Sequence, residues 1–273
     1  MNKEEIDRLI NSPEQLAVQA EMSNQIRAAE ESKRTAFLNG NQCFICYLDL
    51  DGFKEKLFSS PQDLFNSYTQ LTEYINATFF KVNAESEGII IKLHHFDKVL
   101  WPYVFSDSWF ICTTDSSSLA LNQLSTLAAG ICMRLWEMGF PCHGGISEGP
   151  LWWRPDLQIM LGPGLANAYL LAESLDCFGV VADPSILNRA EQNTFTKSFS
   201  VPIKNNKCGE AQVEREFKFC RLLAHKTNRS YNTEHYLSLY DEMIASIVNR
   251  SDFKKSILNR YKRSREILEE MII

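Results

Sequence analysis

Cys43-Phe44-Ile45-Cys46-Tyr47-Leu48-Asp49-Leu50-Asp51-Gly52-Phe53 runs from six apolar residues into two carboxylates and a glycine. A short apolar run bounded by turn residues, here Asn39-Gly40-Asn41 ahead of Cys43, reads as a buried strand over 43–50. Side chains alternate across a strand, so Cys43 and Cys46 point to opposite faces rather than forming half of a zinc knuckle. No second close Cys or His pair completes four zinc ligands. The strand ends on acids, with Gly52 just beyond, where backbone amides can face a phosphate.

Downstream, Leu64, Tyr68, Leu71, Ile75 and Phe79 recur at helical spacing over 61–82, opened by Ser59-Ser60-Pro61. Residues 88–93 and 99–113 are rich in β-branched and aromatic types. Within the second stretch, 103–112 predicts two strands meeting at a tight acidic turn. A helix is expected over 116–138, on a stripe through Leu119, Leu121, Leu124, Leu127, Ile131 and Leu135, ended by Gly139. Strands at 142–148 and 158–161, a helix over 162–175 and a strand at 179–182 follow. The order strand, helix, hairpin, helix, strand describes the α+β class, as a ferredoxin-like or palm-like antiparallel sheet with helices on one face.

Three regions are expected: a helical N-terminal extension over 1–36, a central domain over 37–195, and a C-terminal extension over 196–273. The last comprises strands at 195–203 and 213–222 and two helices within 235–273. The final helix carries Lys254, Lys255, Arg260, Lys262, Arg263 and Arg265, the composition of a solvated face, with a nucleotide or partner contact as the alternative.

Composition bounds the function. With 45% hydrophobic and 23% charged residues, the chain is of ordinary globular type. Lys+Arg 28 against Asp+Glu 34 gives a formal net charge of -6, so neither nucleic acid nor a membrane surface is an expected partner. No apolar run approaches the roughly 20 residues that span a bilayer. Met1 to Glu5 open a charged segment rather than a signal peptide, and the expected location is cytoplasmic. The eight cysteines, scattered through apolar segments, are expected to be reduced and mostly buried.

Asp107 lies at the turn of the predicted hairpin. If that hairpin pairs beside the 43–50 strand, Asp49 and Asp107 converge on one sheet edge, where carboxylates without a cation repel. Two divalent ions, Mn²⁺ or Mg²⁺, held by Asp49, Asp107 and the carbonyl of Leu50, relieve that repulsion and clamp a triphosphate. The alternative is that both carboxylates cap ordinary turns.

Three segments in this order resemble the catalytic domain of class III nucleotidyl cyclases. Asp49 to Phe53 is similar to the family's Asp-Ile-x-Gly-Phe, and Phe105-Ser106-Asp107-Ser108 to its Gly-Asp hairpin. Gly144-Gly145-Ile146-Ser147-Glu148-Gly149, followed by Gly162-Pro163-Gly164-Leu165-Ala166-Asn167-Ala168-Tyr169, is similar to its glycine strand and the helix after it. Together they span about residues 43–185. The resemblance implies that Asp49 and Asp107 are the catalytic metal ligands and that Asp51, Gly52 and Phe53 contact a nucleoside triphosphate. It also implies a head-to-tail homodimer with its sites at the interface.

Departures from the pattern narrow the expectation. The family supports its transition state with an Asn and an Arg on the helix after the glycine strand, where this chain has Ala166 and Leu170. Purine-selective members read the base with a Lys four residues before the hairpin Asp and a polar residue three before the helix-opening Gly, where this chain has Tyr103 and Ile159. An unpaired base edge costs on the order of 1 to 3 kcal/mol, which disfavours ATP. Tyr103 is instead the candidate to hydrogen-bond a smaller pyrimidine, in UTP or CTP, unless it is a core tyrosine packed in its strand.

The motifs are also similar to those of stand-alone bacterial pyrimidine cyclases of antiphage defence, which make cyclic UMP or cyclic CMP for a nucleotide-gated effector. His143 stands where those proteins carry Arg. Lys54, Arg154 or a C-terminal Arg are the candidates to replace the cation missing at Leu170.

Two other functions draw on the same residues. Asp-Leu-Asp-Gly-Phe-Lys at 49–54 resembles the metal strand of diguanylate cyclases, whose Gly-Gly-Asp/Glu hairpin is absent here. A cyclase fold without its transition-state residues would bind a nucleotide or partner in a regulatory role, with no turnover. Trp152-Trp153 reads as core or flap packing ahead of a partner surface, and His94-His95 as a loop pair with no third metal ligand nearby.

Overall fold

The computed structural model describes residues 38–80, 96–190, 194–203, 214–220, 233–248 and 255–272. The expected N-terminal helical extension, the strand at 88–93 and His94-His95 lie outside them. The first strand, β1 (Leu38–Leu50), is buried on both faces because helical layers cover both sides of it. Phe44, Cys46, Leu48 and Leu50 enter a large core with α2 (Pro61–Ile75) and α3 (Ser118–Glu137). Cys43, Ile45 and Tyr47 enter a second core with Ala168 and Ala172 of α4 (Pro163–Ser174). Double burial explains the unbroken apolar run, and Cys43 and Cys46 do face different cores.

Eight strands form one sheet. The hairpin of β2 (Tyr103–Phe105) and β3 (Ser108–Cys112) pairs through β3 with β1, placing Asp49 opposite Ser108. On the other side of β1 runs β4 (Cys142–Arg154), which also carries the short β5 (Ile159–Leu161). Beyond β4 come β6 (Gly179–Ala182), β8 (Glu214–Cys220) and β7 (Phe195–Pro202). The sheet is therefore continuous into the C-terminal segment. There α5 (Thr233–Val248) and α6 (Lys255–Ile272) add Tyr240, Tyr261 and Leu268 to the large core.

The α+β class is as expected, and two details differ. The sheet is mixed, because β6 lies parallel to β4. A chain that leaves a strand and returns through a crossover helix, here α4, re-enters in the same direction. Helices also cover both faces, since α4 lies on the side opposite α2 and α3.

Smaller departures have local causes. β1 begins at Leu38 and runs through the expected turn, because Gly40 takes φ 74° at a bulge between Asn39 and Asn41. Strand alternation splits the tryptophan pair, so Trp153 is buried while Trp152 lies exposed over Gly40. A helix not foreseen, α1 (Phe53–Ser59), follows β1 at once. Seven cysteines, all but Cys208, are free and buried, as expected of reduced thiols. Among the described residues no helix is long and apolar enough to cross a membrane.

Candidate functional site

The site lies where β1 ends. The amide of Leu50 donates to the carbonyl of Asp107 at 3.2 Å, tying the hairpin turn to the strand end, and the amide of Asp51 donates to the Pro141 carbonyl at 2.9 Å. Tyr68 of α2 holds the turn from the other side, donating its hydroxyl to the Ser106 carbonyl at 2.9 Å while its ring packs on Phe53 and Trp109. Ser106 needs this support, since it takes φ 57°, an uncommon conformation for a residue with a Cβ. Burial pushes the Tyr68 hydroxyl up to about 12, and the charges of Asp107 and Asp49 both push it further in that direction.

Asp49 follows Tyr47 on the α4 face of the sheet. Tyr47 donates its hydroxyl to Asp49 Oδ1 at 3.3 Å and shares a hydrogen bond with Ser108 Oγ at 3.0 Å. Burial raises the Tyr47 phenol, and the charges of Asp49 and Glu173 raise it too. The other oxygen, Asp49 Oδ2, faces His143, its cross-strand partner on β4, with Nε2 at 3.9 Å. Glu173, from the last turn of α4, completes a group whose ligand atoms all lie within 4.8 Å of one another. This combination of two carboxylates and one imidazole suits a divalent cation.

Glycines set where α4 lies. A Cβ on Gly145 would come within 2.6 Å of the Ala168 carbonyl oxygen and 3.0 Å of the Ala172 amide, and one on Gly149 would meet Gly164 at 2.8 Å. Ser147 adds a hydrogen bond to the Gly164 carbonyl at 2.6 Å. The glycine strand thus lets the helix backbone rest directly on β4 and carries Glu173 to the strand end.

The remaining sequence candidates are distributed as follows. Gly52 takes φ 75° between β1 and α1, and Phe53 is buried beneath Tyr68. Tyr103 is half-buried on the Asp49 side of the sheet, where its ring lies 6.2 Å from Phe110, which in turn lies 5.3 Å from Tyr47. Ile159 and Leu170 are exposed, at 46% and 61%, and Ala166 is exposed with them.

Among the cation candidates, Arg154 is bound bidentately by Asp156. At about 3.3 Å per residue it stands roughly 35 Å along β4 from His143, too far to act there. Arg260 of α6 is the C-terminal arginine that reaches the strand end. Its Nη1 lies 3.8 Å from Asp51, its Nη2 donates to the Leu175 carbonyl at 3.4 Å, and its guanidinium stacks over Phe178.

In the sequence His143 stands out only as the residue in place of an Arg, and Glu173 not at all. Nothing in the local sequence pairs residues 30 apart. The juxtaposition depends on the β1–β4 register and on the α4 crossover.

No protein-family model matches the chain, and no curated protein matches it. Among solved structures the chain is similar to the guanylyl cyclase Cya2, with TM-score 0.46 and 10% identity over 72% of this chain and 100% of that one. It is also similar to the adenylyl cyclase CyaB from P. aeruginosa, with TM-score 0.44 and 10% identity over 70% of this chain and 97% of that one. A third is the catalytic core of a rhodopsin-guanylyl cyclase with converted specificity, in complex with ATPalphaS, at TM-score 0.44 and 10% identity over 68% and 99%.

Proposed function

We propose that this chain is a metal-dependent nucleotidyl cyclase of the class III type, with its cyclase domain over residues 37–195. It acts on a nucleoside triphosphate, UTP or CTP in preference to a purine. The observation that carries the proposal is the hydrogen bond from the Leu50 amide to the Asp107 carbonyl, which sets the hairpin turn against the end of β1. In this reading Asp49, the Leu50 carbonyl and Asp107 hold two divalent ions, Mn²⁺ or Mg²⁺. Bound ions of this kind acidify a hydroxyl and offset the charge of a triphosphate. Asp51, Gly52 and Phe53 contact the substrate. The substrate's 3′-hydroxyl gives its proton to solvent, its oxygen attacks the α-phosphorus, the bond from that phosphorus to the α,β-bridging oxygen breaks, and pyrophosphate departs as the 3′,5′-cyclic nucleotide forms.

In this reading Tyr103, half-buried at the end of the aromatic row through Phe110 and Tyr47, is the base-side residue. The catalytic unit is a homodimer, and the product serves as a second messenger in antiphage defence, as the motifs of the pyrimidine cyclases suggest. A second reading rests on the absence of the family's Asn and Arg at Ala166 and Leu170, a cyclase fold that binds nucleotide or a partner without turnover.

Incubation with Mn²⁺ and each of UTP, CTP, ATP and GTP, with products identified by mass spectrometry, tests both. The expected result is a cyclic pyrimidine nucleotide plus pyrophosphate, abolished in Asp107→Ala. A cyclic purine would overturn the base assignment, and no product from folded protein would favour the non-catalytic reading.

A further inference from the structure

Three elements converge beside Asp49: β1 brings Asp49, β4 brings His143, and the end of α4 brings Glu173. Asp49 Oδ1 is occupied by the Tyr47 hydroxyl, which orients the carboxylate and turns Oδ2 toward His143. That hydroxyl is itself fixed by Ser108. An outer hydrogen bond of this kind is how metal-binding carboxylates are held in position. The 3.9 Å between Asp49 Oδ2 and His143 Nε2 is beyond hydrogen-bond length. It is a few tenths of an ångström above the roughly 3.4 Å that separates two neighbouring ligands at about 2.1 Å from one tetrahedral ion. Against that spacing, three ligand atoms that lie within 4.8 Å of one another close on a cation by side-chain rotations that draw them in by up to about 1.4 Å.

The donor set then decides the ion. Mg²⁺ takes oxygen ligands and keeps its waters, whereas an imidazole nitrogen suits first-row transition metals. His143 is 2% exposed, so the nitrogen is presented from inside the sheet, and Asp49 and Glu173 form the more open side. We infer that Asp49, His143 and Glu173 form a divalent-cation site that takes Mn²⁺ or a later transition metal in preference to Mg²⁺, with His143 as its nitrogen ligand. The site shares Asp49 with the proposed cyclase centre, but its binding does not depend on turnover. A nitrogen ligand at this position also supplies a function for the residue that stands in place of Arg in the glycine-strand motif.

The test is Mn²⁺ titration of the full chain read by electron paramagnetic resonance, with spin-echo modulation reporting nitrogen at the metal. Wild type is expected to bind Mn²⁺ with the ¹⁴N modulation of one imidazole, at an affinity at least about tenfold above that for Mg²⁺. His143→Gln is expected to lose the modulation. Glu173→Gln is expected to weaken Mn²⁺ binding by about tenfold or more, and Asp107→Asn to retain the modulation. Circular dichroism establishes that each variant is folded. If the buried His143→Gln does not fold, the wild-type modulation and the half-buried Glu173→Gln decide.

Bound Mn²⁺ without nitrogen modulation, unchanged affinity in folded Glu173→Gln, or no Mn²⁺ binding would each overturn the inference. Nitrogen modulation without a cyclic product from any triphosphate keeps the cation site and removes the cyclase. A cyclic product without nitrogen at the metal does the reverse.

Discussion

Gly52 takes φ 75° at the joint between β1 and α1, yet a Cβ placed on it would meet nothing within 4 Å. Its requirement is therefore for backbone freedom and not for space. Gly52→Ala is expected to cost about 1 kcal/mol and Gly52→Asn less, since Asn tolerates the left-handed region, as urea denaturation would measure. At the facing turn, Tyr68 supplies the hydrogen bond that holds the Ser106 carbonyl. Its loss in Tyr68→Phe should cost about 0.5 to 1.5 kcal/mol.

The same phenol makes stability depend on pH. Its hydroxyl is pushed up to about 12 in the folded protein, from an ordinary value near 10, chiefly by burial. Between those values the folded state keeps a proton that the unfolded chain has released. Stability from this group is thus complete below about pH 10 and is lost as pH rises toward about 12. Comparing urea midpoints at about pH 9 and about pH 11 should show a smaller fall for Tyr68→Phe than for wild type. Equal falls would assign the loss to other groups, the buried thiols of Cys43 and Cys220 first among them, which burial also raises to about 12.

Among the elements, the β4–α4 contact decides whether the site exists at all. The added methyl of Gly145→Ala would strike backbone at Ala168 and Ala172, and backbone cannot rotate away as a flexible side chain can. The helix must shift, at about 1 to 3 kcal/mol for overpacking. Glu173, one residue beyond Ala172, shifts with it. The expected result is a folded Gly145→Ala protein with Mn²⁺ affinity reduced by about tenfold, seen by isothermal titration alongside a thermal melt. Wild-type affinity in a destabilised variant would show that α4 tolerates the displacement without moving its carboxylate.

This element also marks the boundary of what was legible in the sequence. The Gly-Gly-Ile-Ser-Glu-Gly segment was visible as a motif, and β1, the hairpin and α3 followed from periodicity and turn residues. The strand 43–50 and the acids at its end needed only local rules. The function of Gly145 depends on a helix about 20 residues later resting on it, and the Asp49–His143 pairing depends on strand register. The parallel β4–β6 pair was missed for the same reason. Local patterning carries no record of which strand a crossover returns beside.

At the scale of the whole molecule, the C-terminal segment belongs physically to the sheet and core that support the site. β8 pairs with β6, and Tyr240 and Tyr261 pack edge-on against Trp136 of α3 and against Phe178 at rings 5.2 and 4.8 Å apart. Arg260 of α6 reaches Asp51 itself. Tyr240, Tyr261, Ile267 and Leu268 are all nearly inaccessible, between 1% and 7% exposed. At about 1.5 to 3 kcal/mol for each large buried side chain, these four contribute about 6 to 12 kcal/mol of gross burial. That is the size of the entire net stability of a domain, about 5 to 15 kcal/mol. A chain ending at residue 232 would also leave the apolar surfaces of Trp136 and Phe178 open to water. Such a truncated chain is expected to aggregate or bind a hydrophobic dye, and the full chain to unfold in one urea transition, coincident by tryptophan fluorescence and far-ultraviolet circular dichroism. A monodisperse, cooperatively folding 1–232 would instead show that α5 and α6 are an appendage, and that the arginine beside Asp51 can be removed without loss of the fold.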